Sequence, residues 1–165
     1  MRNCRRHWFL ILGVIVLLVS PLVACGKPGF ITYTNDKGGY SISYPYNWQL
    51  EVTDDGTICV LKSPGRRASV RIDVINFMPA EEAAKRWLMA MGTAWEEITL
   101  LENKPMKGSW DWYLSYDYEA DFGMFHGEAY FKETEKHLYK VDTAGDVTGY
   151  SDYPFAAIIS SFKPR

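Results

Sequence analysis

The 165-residue chain has little cysteine, little histidine and no excess of positive charge, and each shortage excludes a class of protein. Of its three cysteines, Cys4 and Cys25 lie in the N-terminal 25 residues. The rest of the chain holds Cys59 alone and cannot build a disulfide framework. Cys59 sits in the apolar run Ile58-Cys59-Val60-Leu61 without a thiolate-stabilising neighbour, and reads as a small buried hydrophobe. His7, His126 and His137 are the only histidines, so bases that titrate near neutral pH are few. The sequence contains no Gly-x-Ser-x-Gly, no His-Glu-x-x-His, no phosphate-cradling glycine loop and no Cys–His pairing. No catalytic residue and no cofactor is therefore assigned, and the chain reads as non-enzymatic. With 18 Lys and Arg against 20 Asp and Glu, it lacks the clustered basic surface that nucleic acid requires. Internal repeats and long low-complexity tracts are also missing.

What is present is concentrated first at the N-terminus. Arg2, Arg5 and Arg6 precede an apolar stretch from Trp8 to Val19, broken only by Gly13. Ser20 and Pro21 interrupt it, and Leu22-Val23-Ala24-Cys25 follows. A basic start, an apolar centre and small residues at the end make a secretory signal. Its close resembles a bacterial lipobox, after which the cysteine is lipidated and becomes the first residue. An uncleaved span is the competing reading. A membrane helix needs about 17 apolar residues at minimum, and Trp8–Ala24 only reaches that limit with helix breakers inside it. The expectation is a signal over residues 1–24, lipid on Cys25, a flexible tether over 25–39 and one globular domain over 40–165. Loss of the three leader arginines leaves 15 basic against 20 acidic residues, a formal charge of −5. Such a domain has little electrostatic attraction to anionic lipid, so attachment falls to the acyl chains, of which a durable anchor needs two.

Within the domain, Tyr40, Ile42 and Tyr44 alternate with serines as a half-buried strand that Pro45 ends. Short strands follow at Trp48–Val52, Thr57–Lys62 and Ala68–Phe77; in the last, Val70, Ile72 and Val74 share one face and Arg71 and Asp73 the other. The period then changes to helical over Pro79–Met91, with Ala84, Trp87, Leu88 and Met91 inward. Pairs Glu81–Lys85 and Glu82–Arg86 lie at i,i+4, and Gly92 is the expected stop. A short strand at 98–102, a loop at 103–108 and a meander over 110–120, 124–133 and 137–143 come next. A closing helix spans Tyr153–Phe162, with Ser151 or Asp152 as cap. The expected class is α+β, an antiparallel sheet covered by helices.

Three groups in the meander carry chemistry. Asp117, Glu119 and Asp121, with Asp111 in register, form an acidic row that could offer oxygens to calcium, although no Asp-x-Asp-x-Asp-Gly loop exists; a solvated sheet face explains them as well. His126 and Glu128 share a strand face, with His137 on the next strand, and together offer an incomplete transition-metal set. Trp110, Trp112, Tyr116 and Tyr118 alternate on one side of a strand, either as a ligand platform or as rings buried under a helix.

The segment Gly39-Tyr40-Ser41-Ile42-Ser43-Tyr44-Pro45-Tyr46-Asn47-Trp48 resembles the opening of the PsbP family, and Ile158-Ile159-Ser160-Ser161-Phe162-Lys163 resembles its close. The resemblance covers about residues 39–163 and implies a PsbP/Mog1-like α/β/α sandwich. Plant members of that family are extrinsic photosystem II subunits that support calcium and chloride retention. Cyanobacterial members are lipoproteins, and Mog1-like relatives bind a small GTPase. The family has no shared catalytic centre, so the resemblance transfers fold and class but no binding residue. It implies an extracytoplasmic lipoprotein acting as an accessory or assembly factor for a membrane complex. The alternative is a surface lipoprotein that binds a ligand or a calcium-type ion.

Overall fold

The computed structural model describes residues 29–165 apart from Glu96. The leader, Cys25 and the start of the expected tether lie outside the described residues. Ten strands and two α-helices run in the order β1 (Phe30–Asn35), β2 (Tyr40–Pro45), β3 (Gln49–Val52), β4 (Ile58–Lys62), β5 (Ala68–Asn76), α1 (Ala80–Ala94), β6 (Ile98–Pro105), β7 (Trp112–Ala120), β8 (Gly123–Glu133), β9 (His137–Asp146), α2 (Phe155–Ser161) and β10 (Lys163–Pro164). Seven strands form one antiparallel sheet in the order β3-β4-β5-β9-β8-β7-β6, and β1, β2 and β10 form a second sheet in the order β1-β2-β10. Among the described residues no helix is long and apolar enough to cross a membrane.

The large sheet is covered on both faces. Helix α1 packs Ala80, Ala83 and Ala84 onto Leu114, Tyr116, Ala129, Phe131 and Leu138, with Trp87, Leu88 and Met91 beside them. Small residues on its first two turns let the helix axis approach the sheet closely. The opposite face receives α2 and the small sheet, whose Tyr40, Ile42, Phe155, Ile158 and Phe162 meet Cys59, Leu61, Val70, Ile72, Tyr139 and Val141. Full burial of each aliphatic side chain here contributes about 1.5–3 kcal/mol relative to exposure. Cys59 is buried as expected, and burial pushes its thiol up to about 11, which keeps it protonated at neutral pH.

Several boundaries differ from the expectation. Residues 30–35, assigned to the flexible tether, form β1: Tyr33 turns inward opposite Ile42 while the Thr32 hydroxyl bonds that of Ser43 at 2.8 Å. Phe, Ile, Thr and Tyr favour a pleated surface, and this propensity outweighs the turn formers on either side. Helix α1 continues through Gly92, which lies on the exposed side, and ends where Trp95 turns extended and packs its ring, tilted, against that of Tyr118 at 4.8 Å. Strand β6 extends through the expected loop to Pro105 and bulges between Leu100 and Glu102. Strand β9 continues to Asp146, taking in part of the expected loop. Neither Ser151 nor Asp152 caps α2, because Tyr153 precedes a proline and is extended, so the helix begins only after Pro154. The i,i+4 pairs on α1 do form, Lys85–Glu81 at 2.7 Å and Arg86–Glu82 at 2.5 Å.

Gly127 on β8 sits directly opposite Tyr116 on β7, and a β-carbon at that position would overlap the Tyr116 ring. The tyrosine ring fills the space that the glycine leaves. Gly127→Ala is expected to destabilise the fold by about 2–3 kcal/mol, the cost of overpacking a core that cannot shift, measured by urea unfolding.

Candidate functional site

Strands β5 and β9 pair so that Asp73 faces Lys140 and Arg71 faces Asp142. Because side chains alternate across a strand, these four share the α1 side of the sheet while Val70, Ile72, Tyr139 and Val141 point the other way. The result is a checkerboard of opposite charges on the floor beside α1. Lys140 Nζ lies 2.8 Å from Asp73 and 3.8 Å from Asp142, and Arg71 Nε donates to Asp73 at 2.8 Å. The Tyr116 hydroxyl donates to Asp142 at 2.6 Å. Trp87, projecting from α1, covers the cluster: Lys140 Nζ is 5.3 Å from its ring centre, and the ring is 4.8 Å from that of Tyr116. Only 7% of the Lys140 side chain is exposed.

Two cations and two carboxylates balance, so the floor exerts no net pull on a free ion. Burial raises the Asp142 carboxyl above the ordinary range, and Lys140 and the Tyr116 hydroxyl draw it only part of the way back. Burial likewise holds the Tyr116 hydroxyl protonated far above neutral pH. A groove of about 480 Å³ opens on one side of Trp87, walled by Ile58, Ile75, Met78 and Phe131 with Arg71, Asp73 and Lys140 below. A second, of about 360 Å³, is lined by Met91, Trp95, Tyr118 and Asp142. Apolar walls around a few fixed polar groups suit a small ligand with an apolar body and one polar end.

The residues singled out in the sequence lie elsewhere. Asp117 pairs with His126 across β7 and β8, carboxylate to Nδ1 at 2.7 Å, and the imidazole packs edge-on against Tyr150 at 4.5 Å. Glu119 and Asp121 lie beside Glu97 around an open polar groove at the end of that hairpin. Asp111 is at the other end of β7, where its carboxylate accepts from the Glu133 amide at 2.7 Å and from Lys132 at 3.2 Å. Among the described residues no three His, Cys, Asp or Glu side chains come together as a metal donor set. His126 and Glu128 do share a face but have different partners: Glu128 accepts from the hydroxyls of Tyr113 at 2.9 Å and Tyr130 at 2.8 Å. His137 starts β9, at the opposite end of the β8–β9 pair from His126. Of the aromatic row, Trp112, Tyr116 and Tyr118 pack with the α1 cluster. Trp110 does not join them; it precedes the strand and stacks on Phe162 at 5.3 Å on the other side of the sheet. The chain bends between Gly108 and Asp111, which puts Trp110 out of phase with the alternation.

The Lys140 cluster was partly legible. Arg71 and Asp73 stand out as the polar face of β5, and Lys140 and Asp142 repeat the pattern on β9. The sequence does not show that a helix covers this face and turns a polar surface into an enclosed one. Because the Asp142 carboxyl is raised in the folded state, the fold loses stability as pH rises from about 4 through that raised value. Asp142→Asn removes this penalty, so its melting temperature relative to the unaltered protein is expected to improve between pH 4 and pH 7. Thermal unfolding across that range checks the sign.

No protein-family model matches the sequence, and no curated protein matches it. Solved structures do. The solution structure of cyanobacterial PsbP (CyanoP) from Synechocystis sp. PCC 6803 superposes with a TM-score of 0.60 at 18% identity, covering 88% of this chain and 100% of that one. The Saccharomyces cerevisiae Ran-binding protein Mog1p gives 0.58 at 9% identity, covering 84% and 96%. A crystal structure from Bacteroides thetaiotaomicron VPI-5482 gives 0.55 at 14% identity, covering 81% of this chain and 48% of that one. Superposition at TM-scores of 0.60 and 0.58 over 100% and 96% of two of these structures establishes the architecture: the chain has the PsbP/Mog1-like fold.

Proposed function

We propose that the protein is a lipid-anchored, non-enzymatic accessory or assembly factor for a membrane protein complex, carried on the extracytoplasmic face of the membrane by a PsbP-like domain. The observation that carries this reading is the sequence Leu22-Val23-Ala24-Cys25, which ends five residues before the first strand at Phe30. A signal that delivers the cysteine to the outer leaflet also delivers the domain. The charges beside α1 support a structural rather than chemical role, since each is already matched by an opposite charge or a hydroxyl. The yeast structure of the same fold belongs to a Ran-binding protein, so protein recognition is within the reach of this architecture.

A second reading is favoured by the groove at Trp87: a surface lipoprotein that holds a small ligand there.

Radiolabelled palmitate is expected on the unaltered protein and to be lost in Cys25→Ala, together with retention in the membrane fraction. Cross-linking of the lipidated protein in cells, followed by mass spectrometry, separates the two readings. Reproducible recovery of one membrane complex is the expected result. Recovery of abundant bystanders alone, with native mass spectrometry showing a retained small molecule, would transfer the assignment to the second reading.

A further inference from the structure

The two ends of the domain differ in chemistry. At one end lie the β1–β2, β3–β4 and β8–β9 turns, which carry Asp36-Lys37, Asp54-Asp55 and Glu135-Lys136. They are held together there: Asn35 Nδ2 donates to the Gly56 carbonyl at 2.8 Å, and the Tyr139 hydroxyl reaches the Gly38 carbonyl at 3.1 Å. The other end is where the chain enters. Its exposed side chains include a group of apolar ones, Phe30 at 41%, Ile31 at 46% and Tyr46 at 64% exposed, with Arg66, Arg67 and Asp121 exposed around them. Tyr46 is fixed against the incoming chain, its amide donating to the Gly29 carbonyl at 2.9 Å. Phe122, at the tip of the β7–β8 hairpin and 91% exposed, belongs to the same end, because Phe125 pairs with Asp146 and Gly145 pairs with Ala68.

Exposed aromatics alone do not identify their partner. The length of chain does. Four residues, Gly26 to Gly29, separate Cys25 from Phe30. Fully extended, the path from Cys25 to Phe30 spans at most about 17 Å. The headgroup layer of one leaflet is about 5–8 Å deep. A domain attached through a lipid on Cys25 therefore keeps Phe30 within about 17 Å of the lipidated residue, with Tyr46 beside it through the Gly29 carbonyl. Tyrosine and phenylalanine at that depth place their rings among the headgroups, where the apolar body is shielded and a hydroxyl stays wet.

We propose that the rim formed by Phe30, Ile31 and Tyr46, extended by Phe122, rests in the headgroup layer of the membrane that holds the Cys25 lipid, which fixes the domain with its charged turns pointing away from the bilayer. The inference rests on the lipoprotein reading. It makes the lipid bilayer itself the occupant of this surface and leaves the charged end free for a protein partner. The contact is apolar, so it forms on uncharged phosphatidylcholine as well as on anionic lipid.

The test uses the mature lipidated chain in phosphatidylcholine vesicles. Its native thiols are blocked, since Cys25 carries the lipid and Cys59 is buried. An environment-sensitive nitrobenzoxadiazole label is placed at Tyr46→Cys or, as the distant control, at Phe77→Cys, an exposed position beyond the far end of β5. The length of that nine-residue strand separates the two ends by about 30 Å. The label at position 46 is expected to emit blue-shifted light and to be quenched by doxyl-labelled lipid about twofold or more beyond the label at 77. Equal, water-like emission at both positions, with palmitate still on Cys25, overturns the orientation and leaves the anchor standing. Palmitate labelling that persists in Cys25→Ala removes the anchor on which the orientation depends.

Discussion

Strand β9 is buried on both faces, and its alternation sets two different surfaces back to back. Tyr139, Val141 and Thr143 face α2 and the small sheet, while Leu138, Lys140 and Asp142 face α1. A strand of this kind cannot be stable in a sheet with one wet face, because either an apolar row or a desolvated charge pair would be left without a partner. Two covering layers are therefore required. The chain supplies them from separate stretches, one helix between β5 and β6 and one helix with a terminal strand after β9. Both ends of the domain close on this second layer: β1 and β10 each pair with β2.

The charged checkerboard beneath α1 follows from the same constraint. Lys140 sits between two carboxylates, so removing either leaves it a partner, whereas removing the lysine leaves Arg71 as the single cation beside Asp73 and Asp142. Trp87 covers Lys140 from above, while Arg71 stays exposed at the groove edge. Such an array contributes modest net stability, because desolvation offsets most of the Coulomb attraction. Its effect is on register: a one-residue slip of β9 against β5 would bring Lys140 and Asp142 among the apolar side chains of the opposite face.

The difference between the two ends of the molecule has a similar origin. Turns far from the chain entry are tied to each other by Asn35 and Tyr139, whereas the entry end groups Phe30, Ile31 and Tyr46 close to the proposed lipid. A free soluble domain gains nothing from a 64% exposed tyrosine beside its N-terminus. A domain held within about 17 Å of a lipidated cysteine does, since those rings then meet headgroups instead of water. Localisation, tether length and surface chemistry are thus parts of one reading.

Local pattern alone determined the antiparallel meander, helix α1 with its ion pairs, and the Tyr40–Trp48 and Ile158–Lys163 segments through which the PsbP likeness shows. Each depends on residues close in sequence: period, turn chemistry or charge spacing. The tertiary structure decided what depends on distant residues. It made β1 a strand rather than tether, because β2 offers an unpaired edge. It took Trp110 to the opposite side from Trp112, because a bend at Gly108–Asp111 breaks the alternation. It split the acidic row by giving Asp117 to His126, and it assembled Arg71, Asp73, Lys140 and Asp142 under Trp87 from three separate elements. Strand pairing between residues some 70 positions apart and the choice of which face a helix covers are set by the packing of the whole chain, and no window of neighbouring residues encodes them.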